Sequence, residues 1–140
     1  MDRIKFTVPG HPKGKARART VRGRDGQTFS YTPEGTVLYE NLVKTCYSQN
    51  CSFSFQNGEA LDVHIHAFYD IPKSTSKKKR EQMLSGDILP TKKPDIDNIV
   101  KCILDALNGV AYHDDTQVVR LVTTKAYAEP PRVEVEIIAI

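Results

Sequence analysis

Alternation of apolar and polar side chains constrains this fold most, because a period of two separates strands from helices. Nearly every second residue from Leu61 to Tyr69 faces a predicted core, and the same period recurs from Val133 to Ile137. A shorter alternation begins at Ile4 and stops at a Pro-Gly pair. Each pattern predicts a strand with one buried face.

Helical spacing accounts for most of the remaining apolar residues. Thr32 followed by Pro33 is a helix start, since a hydroxyl can cap the first turn and proline fits its first position. An Asn108-Gly109 pair is typical of a helix end. The patterns predict helices over about 33–50, 74–84 and 95–108, and strands over 117–127 and 133–140.

The predicted order β-α-β-α-α-β-β implies one α/β domain spanning residues 1–140, with a mixed sheet of about four strands and helices packed on it. Such a length suits a single modest core. Residues 11–30 form the exception, because they contain almost no apolar side chains. We predict a basic, flexible loop there that orders itself on a partner.

Charge is distributed unevenly, although the net charge is only +3. Residues 11–24 contain six cations and no acid, residues 73–80 contain a second basic block, and acids dominate from residue 94 onward. Basic arms around an acidic centre suit a polyanion such as DNA, although charge runs are often only solvated surface. The predicted DNA-binding residues are Lys13, Lys15, Arg17, Arg19, Lys77, Lys78, Lys79, Arg80, Lys92 and Lys93.

Two pairs of aspartates mark the acidic centre. Asp95 and Asp97 lie at the start of the third predicted helix, and Asp114 and Asp115 follow its end after a short turn. Carboxylates concentrated beside lysines are typical of a site that holds Mg²⁺ or Mn²⁺ against phosphate. We expect the turn to return the second pair toward the first, so that one ion is shared.

The same residues also have a purely structural interpretation. Aspartates in a first helical turn cap free N–H groups, and Asp97 with Lys101 has the spacing of an ordinary ion pair along a helix. Asp114 and Asp115 alone would suit a solvated turn. The combination favours the metal site, because several unpaired carboxylates close together are costly without a cation.

Three segments resemble one known family. Lys93-Pro94-Asp95-Ile96-Asp97-Asn98-Ile99-Val100-Lys101, Leu104-Asp105-Ala106-Leu107-Asn108-Gly109 and Asp114-Asp115-Thr116-Gln117-Val118 are similar, in this order, to the signature of the RusA Holliday junction resolvases. The opening residues 9–17 and Tyr31-Thr32-Pro33 resemble members found in phages. The resemblance covers most of the chain, but residues 45–90 add little to it.

The resemblance implies a RusA-like fold and function. Asp95, Asp97 and Asp115 match the catalytic carboxylates that bind metal, Lys101 matches the catalytic lysine, and Asp114 matches a neighbouring acidic position with an accessory metal role. The family implies a homodimer that nicks a four-way DNA junction symmetrically, with Mg²⁺ or Mn²⁺. Two equivalent sites suit two equivalent strands.

Two other function classes remain open from the residues. A non-catalytic DNA- or junction-binding protein would use the aspartates only as caps, and it would bind without metal. A small nucleotide hydrolase would use the same carboxylates, but no glycine-rich phosphate loop is present. Junction cleavage separates the first from a resolvase, and activity on free nucleotides would identify the second.

The remaining chemistry-bearing residues favour structural roles. Cys46, Cys51 and Cys102 lack metal-ligand spacing, so we expect reduced, structural thiols. His64 and His66 share a strand face without a third ligand, and His113 lies in the predicted turn. The sequence has no run of about 18 apolar residues and no signal-like N-terminus, so we expect a cytoplasmic protein without membrane contact.

Overall fold

The computed structural model describes residues 2–140 and gives the α/β domain that the sequence predicts. The helices are α1 (Glu34–Asn50), α2 (Lys77–Ser85) and α3 (Ile96–Leu107). The strands are β1 (Arg3–Pro9), β2 (Arg19–Arg22), β3 (Thr28–Tyr31), β4 (Leu61–Tyr69), β5 (Val118–Tyr127) and β6 (Arg132–Ala139). A single 3₁₀ turn, Asp115–Gln117, leads into β5.

Four strands form one mixed sheet in the order β1-β6-β4-β5. Strands β1, β6 and β4 pair antiparallel, whereas β5 runs parallel to β4. Parallel neighbours need a long crossover, and the segment that carries α2 and α3 supplies it. The mixed four-stranded sheet with packed helices is confirmed.

Helices α1 and α3 cover one face of the sheet and create the core. Helix α3 contributes a continuous apolar stripe, in which Ile99, Ile103 and Leu107 are completely buried. Spacing of three and four residues places them on one side of the helix, as the sequence predicts. Truncating Ile103 to alanine would cost roughly 2–5 kcal/mol. The core therefore fixes the orientation of α3 and of the polar residues at its ends.

A two-stranded antiparallel hairpin, β2–β3, occupies the segment that the sequence predicted as a loop. Backbone pairing and a tight turn order it without a core: Gly23 N donates to Gln27 O at 2.7 Å, and Gln27 N donates to the Asp25 carboxylate at 3.1 Å. Apolar content is a poor guide here, because ladder hydrogen bonds define a short hairpin.

Helix α2 and the cysteines agree with the sequence. Ser76 caps α2, Gly86 ends it in a left-handed conformation (φ 88°), and the helix buries no residue. All three cysteines are free thiols, and Cys46 and Cys102 are buried within α1 and α3. Within residues 2–140, no helix is long and apolar enough to cross a membrane.

Candidate active site

The first turn of α3 carries two carboxylates that have no structural partner among residues 2–140. Asp95 occupies the N-cap position, yet its side chain makes no capping hydrogen bond. Within residues 2–140, neither Asp97 nor Lys101 forms an ion pair within 4.0 Å. The capping and ion-pair roles that would explain these residues structurally are therefore absent, and both carboxylates are exposed.

A cavity of about 690 Å³ lies beside this end of α3. Four basic side chains line it together with Asp95. Three come from the segment between β1 and the hairpin, and one directly precedes Pro94, so separate parts of the chain converge on one place. These basic residues are Lys13, Lys15, Arg17 and Lys93. Clustered cations next to a free carboxylate suit a phosphate group bound close to a metal ligand.

Backbone contacts hold the basic segment against α3. Lys15 N donates to Asn98 O at 3.0 Å, and Ala16 N donates to the Thr36 hydroxyl at 3.3 Å. A side chain at Gly14 would place its Cβ 2.9 Å from Asn98 Cβ and 3.1 Å from Pro94 Cβ. Glycine is therefore required for this approach, because a Cβ at 2.9 Å from another carbon would force one of the two segments to move.

Lys15 differs from the other cations of the cavity because its ammonium group already has partners. Its Nζ lies 2.9 Å from Glu40 and 3.5 Å from Asp105. Burial lowers the pKa of Lys15, but Glu40 and Asp105 more than offset this effect, so the pKa is raised overall. Lys15 was predicted to contact DNA, and its position identifies it as an ion-pair centre between α1 and α3.

The other end of α3 carries the second pair of aspartates. The chain turns back at once after the helix: Gly109 N donates to Tyr112 O at 2.9 Å, and the buried Tyr112 hydroxyl donates to Leu104 O at 2.7 Å. Asn108 Oδ1 then accepts a hydrogen bond from Asp115 N at 2.9 Å. Asp115 is consequently fixed beside the last turn of α3.

The side chain of Gln117 stabilises this turn. Its Oε1 accepts hydrogen bonds from His113 N and Asp114 N at 2.9 and 3.1 Å, while its Nε2 donates to two carbonyl groups of residues 56 and 59. The side chain is buried, so all of its hydrogen-bonding capacity is used inside the protein. Gln117 thereby fixes where the aspartate pair emerges.

The pair is electrostatically strained. Burial raises the pKa of Asp115, and the nearby carboxylates of Asp114 and Asp105 raise it further, whereas a hydrogen bond with Asn108 lowers it. Like charges disfavour ionisation of their neighbours. A cation at this end would relieve the repulsion.

The two carboxylate pairs are too far apart to share an ion within one chain. A helix rises about 1.5 Å per residue, so roughly 20 Å separates Asp95 from Asn108, and about 12 Å separates Asp97 from Asp105. Within residues 2–140, no group of three histidine, cysteine or acidic side chains is placed to hold a metal ion. The expected return of Asp115 toward Asp97 is wrong, because Tyr112 and Asn108 hold the turn at the far end of α3.

Other predicted residues take varied positions. Most of the basic residues are exposed, but Arg80 pairs with Glu129, and the Lys92 ammonium lies 5.7 Å from the centre of the Tyr127 ring. The exposed members of the predicted DNA-binding set are Lys13, Arg17, Arg19, Lys77, Lys78, Lys79, Lys92 and Lys93. Helix α2 thus presents three lysines to solvent.

The histidines behave as structural residues. His64 Nε2 contacts the Asp62 carboxylate at 3.1 Å, and His66 Nδ1 contacts the Thr124 hydroxyl at 2.6 Å. His113 is exposed and contributes its backbone N–H to the turn.

A family model described as endodeoxyribonuclease RusA matches residues 9–138. The chain belongs to the RusA endodeoxyribonuclease family. A RusA-family relative, described as a crossover junction endodeoxyribonuclease from Lactococcus phage r1t, is 29% identical over 126 residues, which are 89% of this chain and 79% of the relative. The uncharacterized protein YqaN of Bacillus subtilis (strain 168) is 41% identical over 138 residues, covering 98% and 96% of the two chains.

Sequence reasoning missed the residues that support the site. Glu40 gave no signal, because a lone acid in an amphipathic helix is unremarkable. Asn108 and Gln117 lay within the family motifs, but their hydrogen bonds depend on the fold of the turn. Tyr112 was part of a turn segment that gave no indication of burial.

Proposed function

We propose that this RusA-family chain is a metal-dependent endodeoxyribonuclease that resolves four-way DNA junctions by paired nicks. The observation that carries the proposal is the convergence of unpaired carboxylates and basic side chains at the first turn of α3. A helix end without a functional role would use Asp95 as a cap and Asp97 as an ion-pair partner. Family membership and the name of the phage relative favour the same activity.

DNA binding rests on the basic groups around Asp95. Lys13, Arg17 and Lys93 line the cavity and remain exposed to a phosphate backbone, while Lys15 is held by acids. The three lysines of α2 are exposed as well. Such residues neutralise phosphates and release counterions, which makes binding sensitive to salt. Removing Lys77, Lys78 and Lys79 should flatten the salt dependence by about one unit for each lost contact.

The donor set fits Mg²⁺ or Mn²⁺. Asp95, Asp97, Asp114 and Asp115 offer only oxygen ligands, which hard divalent cations prefer. Two of them lack structural partners, and Asp115 has a pKa raised by burial and by Asp114. A bound divalent ion would supply charge neutralisation at the phosphoryl oxygens and an acidified water.

The chain's own groups would position and stabilise the scissile phosphate. Lys93 would hold the adjoining phosphate in the cavity. Lys101 lies one helical turn after Asp97 on the same side of α3, so its unpaired ammonium can stabilise charge that develops on the phosphate. Asp95 and Asp97 would present their carboxylates to the metal in a fixed orientation, because the buried stripe of α3 fixes their backbone.

We further propose that each complete site is shared between two copies of the chain. Within one chain the two aspartate pairs lie at opposite ends of α3, where roughly 20 Å of helical rise separates Asp95 from Asn108, the residue that holds Asp115. A homodimer that places the first turn of one α3 beside the Asp114-Asp115 turn of the other would assemble four carboxylates twice. Two-fold symmetry then provides two equivalent sites for two symmetric nicks.

The first test is cleavage of a labelled synthetic four-way junction and a matched linear duplex, with Mg²⁺ or with EDTA. Paired, metal-dependent nicks in the junction alone, absent from Asp97→Asn, are the expected result. Junction binding without nicks would instead identify the alternative, a non-catalytic junction-binding protein. Equal cutting of both substrates would indicate a nuclease without junction selectivity.

The shared site has its own test, using mixtures of inactive variants. Co-refolding Asp97→Asn with Asp115→Asn should restore cleavage, because each mixed dimer contains one site with both residues intact and one site lacking both. Restored molecules should make single nicks. The matched control combines Asp95→Asn with Asp97→Asn, which leaves every site damaged. Failure of the first mixture, with mixed dimers demonstrated by mass spectrometry, would contradict a shared site.

A further inference from the structure

The β2–β3 hairpin is the largest feature that the proposed catalytic site leaves unused. All eight residues of its two strands are exposed. Its turn is closed by the hydrogen bonds described above, and Thr20 and Ser30 hydroxyls lie 3.2 Å apart across the strands. An ordered element with no buried residue does not contribute to the core. Its surface is therefore available for a partner.

The strand register gives the hairpin two different faces. Directly opposed residues point to the same side, so Val21 with Phe29 and Arg19 with Tyr31 share one face. The other face carries Arg22 and the hydroxyl residues. Phe29 is 56% exposed and Tyr31 44%, which is unusual for large aromatic side chains without a partner. One face of the hairpin is thus aromatic and the other polar.

The positive charge of the hairpin indicates which kind of partner its aromatic face binds. Its three arginines, Arg19, Arg22 and Arg24, oppose one acid, Asp25, whose carboxylate already accepts the Gln27 N–H. Aromatic rings interleaved with arginines suit nucleic acid, because rings stack on bases while guanidinium groups contact phosphates. An uncharged protein surface would not use this charge.

The base of the hairpin lies beside the proposed cleavage site. The Lys15–Asn98 hydrogen bond and the close contact at Gly14 attach the preceding segment to the first turn of α3. Each hairpin strand of four residues spans about 13 Å. One bound DNA could therefore contact both the hairpin and the carboxylates.

We propose that the hairpin recognises the branch point of DNA, with Phe29, Val21 and Tyr31 packing against base-pair faces that a branch exposes. The proposal rests on the proposed function, since it deepens the substrate preference of that site. Base faces inside a continuous duplex are covered by their neighbours, whereas pairs at a branch can be unstacked at low cost. The aromatic face would then favour branched over linear DNA, and the arginines would hold the flanking phosphates.

The test replaces Phe29 by alanine and measures binding in EDTA, so that cleavage does not enter the measurement. The substrates are a four-way junction with 2-aminopurine at its centre and a linear duplex of the same sequence. Wild-type protein should raise the 2-aminopurine fluorescence, because the base leaves its stack. Phe29→Ala should lose this rise and roughly tenfold in junction affinity, with duplex affinity unchanged. Phe29→Trp should retain both the fluorescence rise and the junction affinity.

Thr28→Ala is the matched control, because Thr28 is adjacent to Phe29, exposed and on the opposite face. It should bind the junction like wild type. Equal losses for junction and duplex in Phe29→Ala would make the hairpin a general duplex contact and overturn the proposal, as would an unchanged fluorescence rise. If wild-type protein nicks junctions and Phe29→Ala keeps the full preference for junction over duplex, only the role of the hairpin is refuted. Absence of junction nicking by wild type refutes the proposed function instead.

Discussion

The two ends of α3 differ in how their charges are balanced. At the first turn, Asp95 and Asp97 lie beside the basic cavity, and neither is used in the fold. Beyond the last turn, Asp114 and Asp115 repel one another and Asp105, and a buried network of Tyr112 and Gln117 fixes their position. One end attracts phosphate and the other repels it. Under the proposed function, the first end would bind DNA and the second would need a cation or another chain.

The largest expected effect concerns cleavage. Asp97→Asn and Asp115→Asn should each reduce junction cleavage at least about 100-fold in single-turnover assays with Mg²⁺, because each removes a ligand from a site that acts on developing charge. Circular dichroism should remain unchanged for both variants. If only the first variant lost activity, the far end of α3 would have no catalytic role and the comparison would fail.

The second prediction concerns the lysine between the two ends. Lys15→Ala should lower the free energy of unfolding by roughly 1–3 kcal/mol, since it leaves the half-buried Glu40 and Asp105 without a cation. Urea denaturation at pH 7 measures the change. The pKa of Lys15 is raised above 10.5, so its contribution should persist at neutral pH and disappear only above that value.

Lys13→Ala provides the control for this loss. Lys13 lines the same cavity but is exposed, and its replacement should change the unfolding free energy by less than about 0.5 kcal/mol. Similar losses for the two variants would show that Lys15 acts as an ordinary surface cation.

The third prediction separates attraction from repulsion. In EDTA, Lys93→Ala should weaken junction binding and reduce the salt slope by about one unit, because it removes a phosphate contact. Asp114→Asn should strengthen binding roughly threefold under the same conditions, because it removes a negative charge that faces the DNA. Fluorescence anisotropy across a salt series distinguishes the two. Weakened binding by Asp114→Asn would contradict the assignment of the repelling end.

The smallest expected effect is thermal. The pKa of Asp115 is raised above its ordinary value of 3.8, so the folded state favours the protonated form, and stability is lost as pH rises through the folded pKa. Asp115→Asn should therefore raise Tm by about 1–3 °C at pH 7. The difference from wild type should vanish below about pH 4, where both side chains are neutral. A variant that is less stable at pH 7 would show that the carboxylate makes a favourable contact there.

The main elements of the fold were predictable because their patterns are local. The alternation in β4 and the Ile99–Ile103–Leu107 stripe each reflect one buried face, which the sequence records directly. The β2–β3 hairpin was missed because its stability comes from backbone pairing and from a turn closed by Asp25. Side-chain apolarity does not report such pairing.

The residues of the candidate site stay predictions, but their expected assembly within one chain is wrong. Motifs identified both aspartate pairs, because a motif consists of residue types in a given order, and the sequence contains these directly. Their separation depends on the length of α3 and on the turn that Tyr112 and Asn108 hold, neither of which a motif encodes. The ion pairs of Lys15 were missed for the same reason, because its partner Glu40 lies on another helix.

Gly14 connects the segment before the hairpin to the first turn of α3. With no side chain at this position, the backbone before the hairpin lies directly on Pro94 and Asn98, and the Lys15 N–H completes the attachment. Force applied to the hairpin is therefore transmitted to the first turn of α3, which carries Asp95 and Asp97. The Asp114-Asp115 turn is anchored through Tyr112 and Gln117 and lies outside that path.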